Sequence, residues 1–126
     1  MTLPPLWLAL PIAGAATIDV TTTDDVVADD GLCSLREALA AARDQVGSGS
    51  SAGECAAGDA GTDEIALPAG TSFPASTLTI DSEVSLVGQG MGITVIDGGD
   101  TVEIFRASAD LALTGLTVQH AYGALK

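Results

Sequence analysis

Asparagine does not occur in this chain, which excludes any N-glycosylation sequon and any asparagine ladder along stacked strands. Aromatic residues are scarce as well. Trp7, Phe73, Phe105 and Tyr122 are too few for a platform on which bases or sugars stack. Positive charge is equally thin: 4 Lys and Arg stand against 17 Asp and Glu, a formal charge of −13. Nucleic acid and anionic lipid are therefore poor partners. There is one histidine, His120, and there are two cysteines, Cys33 and Cys55.

No apolar run is long enough to span a bilayer comfortably. The opening, "MTLPPLWLALPIAGAA" over residues 1–16, is uncharged and contains Ala13-Gly14-Ala15, the A-x-A pattern of a secretory signal cleaved after Ala15. It lacks the usual positive start. A buried strand is the alternative, but Pro4, Pro5 and Pro11 sit badly in one. The expectation is export, with residues 1–15 removed as a signal peptide and the full charge kept on the mature chain.

What the chain does contain falls into two parts. Residues 16–62 hold a β-branched strand read over 17–28, then a helix, then a Gly/Ser-rich loop. Ser34 followed by Glu37 is a capping box, and Leu35, Ala38, Leu39, Ala42 and Val46 make an apolar stripe for a helix from about Leu35 to Gln45. The loop over 47–62 reads as mobile apart from Cys55.

Residues 63–126 change to short strands and turns: 64–67, 71–73, 77–80, 84–87, 94–97, 102–106 and 111–118. Val84-Ser85-Leu86-Val87-Gly88 aligns with Leu111-Ala112-Leu113-Thr114-Gly115 at an offset of 27, and Ile65-Ala66-Leu67 precedes the first by 19. Offsets of this size suggest stacked coils, each of three short strands. Alternation places Ile65, Leu67, Leu78, Ile80, Val84, Leu86, Val102, Ile104, Leu111, Leu113, Leu116 and Val118 inward. A hairpin-built sandwich is the rival fold, but only Asp97-Gly98 offers an Asp-Gly between strands.

Taken together, "TIDVTTTDDVVADDGLCSLREALAAA", "GTDEIALPAG" and "LTI…VSLVGQGMGITVIDG" resemble the CSLREA-type N-terminal segment of exported bacterial right-handed parallel β-helix proteins. The hexapeptide Cys33-Ser34-Leu35-Arg36-Glu37-Ala38 carries the signature, and the resemblance spans roughly residues 17–118. It implies a secreted or surface-anchored solenoid whose first coils are closed by the strand and helix. It implies little about activity. Further coils beyond Lys126 are expected as the direct partner, with cell-surface polysaccharide as a more distant one.

Cys33 at a helix start reads as a reactive thiolate, a metal ligand or half of a disulfide. Asp29 and Asp30 oppose a thiolate, and the only histidine is 87 residues away. A bridge to Cys55, the only other cysteine of an exported chain, is the favoured reading. "GQGMG" at 88–92 is a poor dinucleotide motif and reads as a tight turn. Arg36 lies at an unfavourable helix end and needs a partner, such as Asp29, Asp30 or a strand carbonyl. His120 shows no positioned acid. Asp81, Asp97, Asp100 and Asp110 read as turn caps, without calcium-loop spacing.

No catalytic residue, cofactor or metal ligand is therefore assigned. The expected role is a non-catalytic N-terminal cap with the leading coils of a secreted or surface β-helix protein. The alternatives are the inactive leading segment of a polysaccharide lyase or hydrolase, or of an adhesin. The last strands should open a third coil and leave Leu111, Leu113, Leu116 and Val118 beside an unpaired edge, so the chain alone is expected to self-associate.

Overall fold

The computed structural model describes residues 16–122; the signal-peptide reading of residues 1–15 lies outside them. In chain order the elements are β1 (Thr17–Asp19), α1 (Leu35–Asp44), β2 (Asp63–Ala66), β3 (Gly70–Ser72), β4 (Leu78–Ile80), β5 (Val84–Val87), β6 (Thr94–Asp97), β7 (Phe105–Ala107), β8 (Leu111–Thr114) and β9 (Thr117–Gln119). They form three sheets, ordered β1-β2-β5-β8, β3-β6-β9 and β4-β7, and every strand pair is parallel. The chain visits the three sheets in turn through β2, β3 and β4, then returns to the first at β5. The fold is mostly β with one helix. No helix among the described residues is long and apolar enough to cross a membrane.

Strands this short are held by columns of inward side chains. In the first sheet, Ile18 pairs with Ile65, Ile65 with Leu86 and Leu86 with Leu113. The first three are fully buried, while Leu113, on the last strand of that sheet, is 42 % exposed. Ile65 and Leu86 are covered by strands on both sides and Ile18 by Ile65 and the helix packed on β1, whereas Leu113 has a neighbour on one side only among the described residues. Each fully buried Leu or Ile stabilises the stack by roughly 1.5–3 kcal/mol. Leu111, Leu116 and Val118 are likewise only partly buried.

The offset of 27 between β5 and β8 holds, with Val84 opposite Leu111. The offset of 19 between β2 and β5 does not: Ile65 pairs with Leu86, two residues further on. A shift of two keeps every side chain on its own face, so the inward set survives the error. In the segment 102–106 the strand itself starts at Phe105, which pairs with Leu78; Ile104 and Phe105 are both buried and Val102 only partly. Alternation fails there because residues 102–104 lie outside the strand. The strand read over 17–28 shrinks to Thr17–Asp19, because the following residues serve as hydrogen-bonding partners for the helix start.

"GQGMG" forms the turn from β5 to β6. Gly90 accepts from the amides of Ile93 and Thr94 through its carbonyl, and donates to the Gly115 carbonyl. Gly88 admits no side chain: a Cβ there would lie 2.4 Å from the Gly115 oxygen.

α1 begins as its capping box requires and ends at Gln45, whose φ of 57° is left-handed. It packs on β1, β2 and β4. Leu35, Ala38, Leu39, Ala41 and Ala42 are buried there, whereas Val46, beyond the cap and out of helical register, is 62 % exposed.

Candidate functional site: the helix start and the disulfide

Cys33 directly precedes the N-cap, and it is bonded to Cys55 with a Cα–Cα distance of 4.8 Å. Both residues are buried. The reactive-thiol and metal-ligand readings of Cys33 end here. Its amide donates to the Thr21 hydroxyl at 2.8 Å and its carbonyl accepts from the Thr21 amide at 2.8 Å, so the bridge is tied to the segment that directly follows β1.

Ser34 and Glu37 reach further than a capping box. Ser34 Oγ accepts from the Glu37 amide at 3.1 Å and donates to the Val26 carbonyl at 2.7 Å. Glu37 accepts from the Ser34 amide through Oε1 and from the Ala28 amide through Oε2. Glu37 is 4 % exposed, and these amides together with the positive helix end satisfy its buried charge. The two residues thus fix both the helix and the incoming loop.

Arg36 finds its carboxylate at Asp25, in place of Asp29 or Asp30. Nε and Nη2 donate to the two Asp25 oxygens at 2.8 Å each. The expected carbonyls are also present, since Nη1 donates to Thr77 and Nη2 to Ser76, at the entry to β4. Asp25 accepts in addition from the Ala75 amide. The bidentate guanidinium holds Asp25 below the ordinary carboxylate range, against the opposing effect of burial, and Asp25 in turn raises the pKa of Arg36. One side chain therefore fastens the helix to the loop before it and to the entry of β4.

The loop over 47–62 is pinned at more than Cys55. Glu54 accepts from the amides of Asp30 and Gly31 and from the Ser48 hydroxyl. Asp29 is held well below its ordinary value by Ser51 and Ser50, whose amides donate to it together with the Ser50 hydroxyl. One oxygen each of Asp30, Glu37 and Glu54 lies within 4.8 Å of the others. The backbone amides of Ala28, Asp30, Gly31, Leu32 and Ser34 already donate to these three carboxylates.

Away from the cap, His120 does have an acid. Its Nδ1 lies 2.9 Å from Asp97 Oδ2, which also accepts from Gln119 Nε2 at 3.1 Å, while Asp97 Oδ1 caps the Gly99 amide at 2.7 Å. The two residues are 23 apart in sequence and meet because β6 pairs with β9 at an offset of 22, with Asp97 opposite Gln119. A search at the 27-residue offset alone misses them. Nε2 has no hydrogen-bond partner among the described residues, so no nucleophile completes the pair. Neither residue lines the cavity of about 590 Å³ that runs beside α1.

The hydrogen bond from Asp97, then its charge and that of Asp100, raise the His120 pKa above 6.5. A raised folded value means that the pair's contribution to stability is fully present below the unfolded pKa and fades as pH rises through the folded one. An NMR titration should show His120 titrating above 6.5, and Asp97→Asn should bring it back toward the ordinary value. An unchanged midpoint in that variant would contradict the pairing.

Comparison with protein-family models, with curated proteins and with solved structures returns no match for this chain.

Proposed function

We propose that residues 16–62 are the N-terminal cap of a right-handed parallel β-helix in an exported or surface-exposed protein, and that the residues from 63 onward are its leading coils, without a catalytic role. The observation that carries this reading is the seating of the cap. β1 lies along β2 in parallel register, α1 packs on β1, β2 and β4, and Arg36 clamps the helix to the entry of β4. An uncovered leading strand offers a row of unpaired backbone groups that templates association. The return to the same sheet at every third strand supports stacked coils, and parallel connections within one sheet are right-handed as a rule. The buried disulfide supports an oxidising compartment. So does the resemblance carried by the Cys33-Ser34-Leu35-Arg36-Glu37-Ala38 hexapeptide. Further coils and cell-surface polysaccharide remain the partners that this reading implies.

Sedimentation of the chain with and without residues 16–62 tests it. Removal of the cap should raise concentration-dependent association above that of the capped chain, through the freed edge of β2. A capless chain that associates no more than the capped one and keeps its β5 amides protected from exchange would refute a capping role.

A further inference from the structure

Asp63, the first residue of β2, is fully buried, yet no cation among the described residues meets it. The arginines among the described residues are engaged elsewhere: Arg36 with Asp25, Arg43 with Asp44 and Asp81, Arg106 with Glu103. Asp63 Oδ1 accepts from the Ala16 amide at 3.1 Å and from the Asp59 amide at 3.0 Å, and Oδ2 is a buried oxygen without any partner among the described residues. There is no room to relieve it from the loop side, since a Cβ on Gly58 would lie 2.4 Å from Oδ2. A buried carboxylate so poorly compensated is costly unless a charge is supplied. Ala16 is also where the first ladder starts, its carbonyl accepting from the Glu64 amide at 2.8 Å.

We infer that cleavage after Ala15 turns the Ala16 nitrogen into an α-ammonium group that pairs with the buried Asp63 carboxylate and locks the cap. The inference rests on the export reading. Signal peptidase adds water across the Ala15–Ala16 peptide bond: the C–N bond breaks, Ala15 leaves as a carboxylate, and the Ala16 amine takes up a proton at neutral pH. The nitrogen that offered one N–H to Oδ1 then offers three, with a positive charge, beside an acid that has an unused oxygen. The ionisable side chains on the surrounding elements are Asp19 on β1, Glu54 and Asp59 in the loop, Glu64 on β2, Glu83 ahead of β5, and Arg36, Glu37, Arg43 and Asp44 on α1. Arg36 is already held by Asp25 and Arg43 by Asp44, so none of them supplies the missing cation. Removal of the leader thereby becomes a condition for the fully stable cap.

The test expresses the full chain in a secreting host. Intact mass and N-terminal sequencing of the exported protein should give Ala16 as the first residue. The mature chain is then compared with a semisynthetic copy acetylated at the Ala16 nitrogen. With the amine free, the melting temperature should hold at neutral pH and fall as pH rises through a raised α-amine pKa, above its ordinary value of about 7.7–8.0. The acetylated copy should melt about 5 °C or more lower at neutral pH and lack that alkaline fall. In Asp63→Asn the difference between free and acetylated chains should vanish. Identical melting curves for the free and acetylated chains would overturn the pairing while leaving export intact, and need no Asp63 variant that folds. A difference that persists in Asp63→Asn would overturn it too. A different N-terminus, or a retained leader, would overturn both the pairing and the processing it rests on.

Discussion

Replacing both Cys33 and Cys55 with alanine is expected to lower stability by about 3 kcal/mol, the loop-closure contribution of a bridge between residues 22 apart. For a domain of this size that corresponds to a fall in melting temperature of roughly 10–20 °C. The bridge joins the helix start to the loop at 47–62, and the hydrogen bonds from Asp30 and Gly31 to Glu54 and from Ser50 and Ser51 to Asp29 span the same gap. These bonds are exposed or partly so, and should weaken together once the bridge no longer holds the loop in place. The pairings of β5 with β8 and of β6 with β9 involve neither cysteine nor its loop and should keep their register. Thermal or urea denaturation of the oxidised protein checks this; an unchanged midpoint would mean that the bridge constrains nothing the fold needs.

Leu39→Asp should do at least as much damage. Leu39 is 7 % exposed, in the buried set with Leu35, Ala38 and Ala42, and its loss by truncation alone costs roughly 2–5 kcal/mol. A carboxylate there adds the cost of an unpaired buried charge. Val46 belongs to the same apolar stripe in the sequence but is 62 % exposed, so Val46→Asp should change stability by no more than about 0.5 kcal/mol. Equal effects in the two variants would mean that α1 is not docked as described.

That contrast shows where sequence patterns carry and where they stop. The periodic stripe identifies Leu35, Ala38, Leu39 and Ala42 correctly and fails at Val46, because Gln45 turns left-handed and ends the period. The repeat of Val84-Ser85-Leu86-Val87 in Leu111-Ala112-Leu113-Thr114 is legible because both strands carry the same pattern before a glycine. The β2 to β5 offset is not, since Ile65-x-Leu67 matches Val84-x-Leu86 better than the true register, which sets Asp63 opposite Val84. Cys33 and Cys55 are found by elimination. Partners brought together by the third dimension are harder. Asp25 lies 11 residues before Arg36 in a segment that reads as a strand, and Asp97 meets His120 through a pairing offset that differs from sheet to sheet. Asp63 gives no sign at all, because an aspartate ahead of a strand looks like any turn residue. Its burial follows only from the loop at Gly58 closing over it.

Amide hydrogen exchange across the whole chain tests the capping role most directly. A cap that shares one cooperative core with the coils requires the ladder amides of Val20 and Glu64, which donate to Ala66 and Ala16, to exchange as slowly as those of Leu67 and Gly88 between the later strands. Reduction of the disulfide should then raise exchange in the cap first. Exchange at unstructured rates throughout residues 16–46, with β5 and β6 still protected in the oxidised protein, would contradict a cap that closes the leading edge.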